Sequence, residues 1–431
     1  MTLHHPNRRD LLKGATTLAA ASSVAGLVGG HARPAYAKPA RSDGAEQIGQ
    51  ALRKGVDDEV VPGVVVVGAT DKGVIYEGAF GTRDMTSGLA MRPDTIFWIA
   101  SMTKAVTATA CMQLVEQGKL QLDQPMGKLL PELENPKVLT GFDASGAPIL
   151  RPAKRPILLR HLLTHTAGFT YDQWSEPMTR YEKATEAPGI ITCKNAALNV
   201  PLVFDPGDRW EYGINIDWVG KAVEAVSDQS LEIYFREHIF APLGMTDTGF
   251  LISSKQKARL ATVYIRKSDG LHATPFEMPQ RPEFFMGGGG LFSTPRDYIV
   301  FLQMLLDGGT FNGVQVLKPE TVALMGQNHI GELNVETLKT VAVETSHDAN
   351  LFPGMVQKWG LSFDINTEPG PAGRSAGSLA WAGYFNTYFW IDPNKHVTGV
   401  IMTQILPFAD PGVLKLLAEF ERGLYTIAVP A

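Results

Sequence analysis

Phe97-Trp98-Ile99-Ala100-Ser101-Met102-Thr103-Lys104 is the stretch on which the fold turns. Its first four residues form an apolar, strand-like run. Beyond Lys104 come Ala105, Val106, Ala108, Ala110, Cys111, Met112, Leu114 and Val115, a helical pattern that Gly118 stops. Ser101 therefore falls at a helix start, where unpaired backbone N–H groups and the positive dipole end surround its side chain. Lys104, three residues on, shares its face of the helix. A serine hydroxyl is a weak nucleophile without a neighbouring base or charge, and an amine at this spacing can supply either. The pattern is short, and taken alone it leaves open that Ser101 only caps the helix.

Working outward, Ile48, Leu52 and Val56 predict a short opening helix. Val61 to Gly68 reads as a strand, Asp71-Lys72-Gly73 as a turn and Val74-Ile75-Tyr76 as the return strand. Tyr388 to Ile391 and Val397 to Ile405 flank Asp392-Pro393-Asn394-Lys395 as a second hairpin. Val413, Leu414, Leu417, Phe420 and Leu424 mark a terminal amphipathic helix. The middle reads as helical from Ala105 to about Leu133 and from Trp218 to Phe240. These patterns predict an α/β domain built from both chain ends, 38–115 and 285–431, around a mainly helical insertion, 116–284.

Other motifs keep to this order. Leu162-Leu163-Thr164-His165-Thr166-Ala167-Gly168 is followed by Pro206-Gly207 leading into Trp210-Glu211-Tyr212. Then come Leu243-Gly244-Met245 and Gly288-Gly289-Gly290-Leu291-Phe292-Ser293-Thr294. Together with Ser101 and Lys104 the set resembles the serine β-lactamases, the D,D-peptidases and the esterases related to class C β-lactamases, the family VIII carboxylesterases. It covers almost all of the chain after residue 37. The resemblance implies a β-lactamase/D,D-peptidase-like α/β fold, an antiparallel sheet flanked by helices with a mainly helical second domain. It makes Ser101 the nucleophile, with Lys104 and Tyr212 sharing the proton, and either of these can be the formal base. The backbone N–H of Tyr384 would join that of Ser101 as the oxyanion hole, where one donor is worth about 2.7–4 kcal/mol.

Two departures separate the chain from the β-lactamases. Ile214 replaces the Asn of the Tyr-x-Asn motif, and Asn215 beside it points elsewhere on an ordered segment. Trp381-Ala382-Gly383 replaces Lys-Thr-Gly, close to the Trp-Gly-Gly of the esterases. An indole cannot recognise a carboxylate as a lysine does. Trp381, Ala382, Gly383 and Ile214 are thus expected to wall a pocket for short, neutral acyl groups. The reading is a carboxylesterase working through an acyl-enzyme on a small-molecule ester, with no metal or organic cofactor. The alternatives are an acyltransferase or transesterase, a β-lactamase or D,D-peptidase-type amide hydrolase, and a non-catalytic binding protein on the same scaffold.

The remaining signals bound the answer. The chain has 431 residues with 44% hydrophobic and 19% charged, a folded rather than disordered composition. A net charge of −5 excludes the electrostatic footprint of a nucleic-acid partner. Arg8-Arg9-Asp10-Leu11-Leu12-Lys13, an apolar run and Ala35-Tyr36-Ala37 resemble a twin-arginine signal over residues 1–37. That implies a periplasmic protein with no stable membrane association after cleavage. Cys111 and Cys193 allow one bridge or two free thiols. The glycine run 287–290 lacks the Lys-Ser/Thr of a phosphate loop, so a close backbone approach is expected there. His165 lacks a G-x-S-x-G partner and reads as structural. Tyr171, Trp174, Phe285, Phe385 and Trp390 are aromatics of the core or the pocket wall.

Overall fold

Gly63–Thr70 (β1) carries four consecutive valines, and all four are fully buried, so both faces of this strand are covered. The computed structural model describes residues 43–429, and the signal-peptide reading of residues 1–37 lies outside the described residues. β1 turns at Asp71 and Lys72 into Gly73–Asp84 (β2), which pairs with Leu89–Ala90 (β3). On its other side β1 pairs with a strand from the far end of the chain. The later strands are Gln357–Trp359 (β4), Asp364–Asn366 (β5), Leu379–Gly383 (β6), Thr387–Asp392 (β7) and Val397–Met402 (β8). The eight strands run in the order β4-β5-β6-β7-β8-β1-β2-β3, antiparallel throughout.

Neighbouring residues of β7 identify the two layers of helix. Trp390 packs against Phe420 of Pro411–Ala428, whereas Phe389 packs against Tyr298 of Pro295–Leu306. Successive strand side chains point to opposite faces, so these helices cover opposite sides of the sheet. The opening helix, Asp43–Asp57, lies against the C-terminal one, with Gly44 and Gly423 at their crossing. At each of these glycines a Cβ would collide with the opposite helix.

Both hairpins and both terminal helices expected from the sequence are present, and the fold is the expected β-lactamase/D,D-peptidase-like one. The middle of the chain differs in detail. The helix after Ser101 ends at Glu116, because Gln117-Gly118 turns the chain, with Gly118 left-handed at φ 69°. Helix Asn215–Ser227 ends at Asp228, also left-handed, before Leu231–Phe235 begins. Residues 116–284 also contain two hairpins that helical periodicity does not reveal. In one, Lys137–Phe142 pairs with Pro148–Pro152 around a turn fixed by Asp143, whose carboxylate accepts from the amides of Ser145 and Ala147. The other pairs Tyr264–Lys267 with Gly270–Ala273. Cys111 and Cys193 are buried free thiols.

Candidate active site

Ser101 lies in a single 3₁₀ turn, Ala100–Met102, which continues directly into helix Thr103–Glu116. Ala100 has φ 43°, a left-handed conformation that a non-glycine residue holds only when its surroundings enforce it. Here several bonds enforce it. Ile99 donates its amide to the Leu291 carbonyl at 3.0 Å, Leu291 donates to the Thr103 hydroxyl at 3.1 Å, and the Tyr298 hydroxyl donates to the Met102 carbonyl at 2.9 Å. Ser101 is therefore clamped between the glycine-rich segment and the helix under the sheet.

Lys104 is fully buried and has three partners. Its Nζ lies 3.1 Å from Ser101 Oγ, 3.0 Å from the Tyr171 hydroxyl and 2.7 Å from the Gly288 carbonyl. An ammonium would donate to all three. A neutral amine donates two hydrogens, to Tyr171 and Gly288, and keeps its lone pair for the Ser101 proton. The surroundings favour the amine: burial pushes the Lys104 pKa down to about 7, partly opposed by the Asp217 carboxylate. Burial raises Asp217 itself to about 6, against the pull of Lys104 and of the Gly288 amide, which donates to its Oδ1 at 2.8 Å.

Asp217 was not singled out in the sequence, and Tyr171 appeared there only as an aromatic of undecided place. Asp217 lies in the first turn of helix Asn215–Ser227, five residues beyond Tyr212, a spacing that carries no motif of its own. Its signal was in the glycine run instead. A Cβ on Gly288 would stand 2.5 Å from Asp217 Oδ2, so glycine there admits the carboxylate to the backbone. The asparagine variant isolates this charge. Asp217→Asn removes the influence that raises the Lys104 pKa, so the rising limb of kcat/KM against pH is expected to move to lower pH. A pH–rate profile measures it, and an unmoved limb would remove Asp217 from the site's electrostatics.

Tyr212 is buried beside the pair. Lys104 Nζ stands 4.6 Å from its ring centroid, and the Ser101 hydroxyl lies near enough to its own to pull on its pKa. Burial raises its pKa well above the ordinary phenol value, against the pull of two hydrogen bonds, from Ser101 and from Trp381. A phenol of raised pKa stays protonated at rest and is the weaker candidate for the resting base. The indole of Trp381 donates to the Tyr212 hydroxyl at 3.0 Å, a contact that polarises the phenol. His165 lies under the same tyrosine, ring centroids 4.7 Å apart. Its Nδ1 meets the Asn215 amide nitrogen at 3.0 Å and the Gly213 amide at 3.3 Å, and burial holds its pKa far below the usual value. It supports the tyrosine loop. Asn215 is committed to that support and to the Phe169 carbonyl, away from Ser101.

Strand β6 ends at Gly383, which packs on the Ile99 carbonyl so closely that a Cβ would overlap both it and the Thr387 hydroxyl. This brings the backbone at Tyr384 beside the Ser101 turn. The Tyr384 hydroxyl donates to the Thr345 hydroxyl at 2.9 Å. The cleft in front of Ser101 holds about 360 Å³ and is walled by Trp98, Tyr171, Trp174, Ile190, Tyr384 and Phe385, among others. Among the described residues, Asp172 is the one charged residue of its lining. Trp381, Ala382, Gly383 and Ile214, expected from the sequence as pocket wall, are all buried and are not among the lining residues of this cleft, while Trp381 and Ala382 line a smaller cavity with Trp210 and Phe408. Ile214 stands at the mouth of helix Asn215–Ser227 with its side chain in the core, and Trp381 stands behind Tyr212. Among the other aromatics, Trp390 packs on Phe420 and Phe285 on Phe250.

A buried amine sharing a hydrogen bond with a serine at a helix mouth, on this sheet, defines a serine acyl-transfer enzyme of the β-lactamase fold. The chain belongs to the Beta-lactamase family, whose profile matches residues 48–422. It is 33% identical over 405 residues to a monacolin J acid methylbutanoyltransferase of Aspergillus terreus, covering 87% of this chain and 94% of that one. It is 30% identical over 401 residues to a lovastatin esterase of Penicillium rubens, covering 86% and 96%. The unliganded simvastatin synthase of Aspergillus terreus superposes with a TM-score of 0.80 at 31% identity, over 91% of this chain and 100% of that one. The protein is thus an enzyme of a β-lactamase-fold family that includes serine hydrolases and acyltransferases.

Proposed function

We propose that the chain forms an acyl-enzyme on Ser101 from small, neutral carboxylic esters and hydrolyses it, releasing the acid. The observation that carries this reading is the cleft itself: among the described residues its lining contains no cation, and the charge it carries is the Asp172 carboxylate. A β-lactam or a peptide C-terminus brings a carboxylate that such a wall repels rather than pairs. Neutral Lys104 accepts the Ser101 proton as Oγ attacks the ester carbonyl, with the amides of Ser101 and Tyr384 facing the oxyanion. The proton passes by way of Tyr212 to the departing alkoxide. Water, deprotonated by the same pair, then releases the acid.

The second reading is transfer of the acyl group to an alcohol, and it is favoured by the likeness to a methylbutanoyltransferase over nearly the whole chain. The two readings share every step up to the acyl-enzyme and divide on what attacks it. Turnover of p-nitrophenyl acetate and butyrate is expected to exceed that of nitrocefin in kcat/KM by at least about a hundredfold. A preference for nitrocefin would overturn the ester assignment. Adding a panel of alcohols and following acid against new ester by chromatography separates hydrolysis from transfer.

A further inference from the structure

A second cavity of about 350 Å³ lies behind the cleft in front of Ser101, and two side chains, Trp98 and Phe276, line both. Their rings are stacked, with centroids 4.7 Å apart and planes at 16°, and form a shared partition.

The two halves of the partition are held very differently. Trp98 is pinned at three points: its amide donates to Gln404 Oε1 at 2.8 Å, its carbonyl accepts from Gln404 Nε2 at 3.2 Å, and its indole donates to the Gly289 carbonyl at 2.5 Å. Phe276 lies beyond the strand Gly270–Ala273, flanked by Pro275 and Glu277, and is partly exposed. Its ring meets Trp98 and, at 5.3 Å between centroids, Phe385. A ring held by stacking alone can turn aside for a cost that an incoming chain offsets by its own burial.

The second cavity offers a hydrocarbon chain a wall that is apolar in part, with Thr262, Thr274, Gln280 and Gln404 also in its lining. Ile252, Val263, Met278 and Phe292 contribute apolar wall. Its charged lining residues are two cations, Arg83 and Lys257, and two anions, Asp84 and Glu277, so the charges balance, and Lys257 and Glu277 pair at 2.9 Å. Its lining thus offers no net charge to a ligand. Each cavity falls within the usual size of small-molecule sites, about 300–1,000 Å³, and opening the partition would join them.

The geometry points to Phe276 as the gate that sets acyl-chain length, and to the cavity behind it as a subsite for the hydrocarbon tail of medium-chain acyl groups. This deepens the esterase reading and rests on the acyl-enzyme at Ser101. With Phe276 in place the cleft ends at the stacked pair and short acyl groups fit. With the ring removed, a chain anchored on Ser101 passes Trp98 into the second chamber.

The test compares kcat/KM for p-nitrophenyl acetate, butyrate and octanoate in wild type, Phe276→Ala, Phe276→Trp and Phe276→Ala/Ile252→Trp. Fluorophosphonate labelling of Ser101 is read first in each protein, so a failure to label speaks against the nucleophile and not the gate. Phe276→Ala is expected to raise the octanoate-to-acetate ratio at least about tenfold, roughly the gain from burying two methylenes. Phe276→Trp is expected to lower the ratio. Ile252→Trp, which fills the second chamber from its rim, should cancel the gain of the alanine variant, an effect that mere loosening of the loop would not produce. A labelled Phe276→Ala protein whose ratio is unchanged, or a gain that survives Ile252→Trp, would overturn the proposal.

Discussion

Ser101→Ala is expected to lower kcat/KM for p-nitrophenyl butyrate by about 10⁴-fold or more, to remove fluorophosphonate labelling, and to leave the melting temperature nearly unchanged. The size follows from what remains. Binding and the two amides proposed to hold the oxyanion survive the substitution, but no atom is left to form the acyl-enzyme. The small stability effect follows from the turn. The bonds that clamp it run through Ile99, Met102, Thr103 and Leu291, and the hydroxyl of Ser101 carries none of them. Initial rates and mass spectrometry after labelling decide the matter. A variant that keeps a tenth of wild-type turnover would remove Ser101 from the chemistry.

Lys104→Met should cost about 10²–10⁴-fold in kcat/KM, the usual share of a positioned base, and should leave a further mark on stability. In the wild type the Lys104 pKa is held below its unfolded value. Between about 7 and the ordinary lysine value of about 10.4 the unfolded chain therefore binds the extra proton, and stability from this group rises with pH. The methionine variant loses that rise. Asp217 acts in the opposite direction. Its raised pKa makes stability fall as pH climbs from the ordinary carboxyl range through the folded value, and without Lys104 that value moves higher still. The melting-temperature deficit of Lys104→Met is thus expected to grow from pH 5 to pH 9, and scanning calorimetry across that range measures it. A deficit independent of pH would show that neither the lowered Lys104 pKa nor the raised Asp217 pKa is as assigned.

What the sequence reveals of this site follows from how local each feature is. Ser101 and Lys104 lie on one helical turn, so their spacing alone brings them together, and the structure places them 3.1 Å apart. The hairpin around Asp71 and Lys72 and the one around Asp392 were legible because turn residues interrupt runs of strand formers. Tyr171 and Asp217 were not, because each reaches Lys104 from a distant segment and has an ordinary local setting. Trp381 was readable as a loss of positive charge, but its donation to Tyr212 depends on how β6 lies against the tyrosine loop. The residues that line the cleft were not legible for a related reason. Motif residues are neighbours in the chain order, and here several of them are packed on the buried side of Ser101, while Trp174, Ile190 and Tyr384 line the cleft.

The pairing of β1 with β8 places Val65 opposite Met402. During synthesis the first hairpin therefore leaves the ribosome with one edge bare, and it stays so until nearly the whole chain has emerged. Closing so long a loop is slow, and a valine-rich edge left waiting is a template for unwanted pairing. Yield of active enzyme should accordingly depend on how quickly the last hundred residues are translated, with chaperone capacity mattering more for this chain than its final stability does.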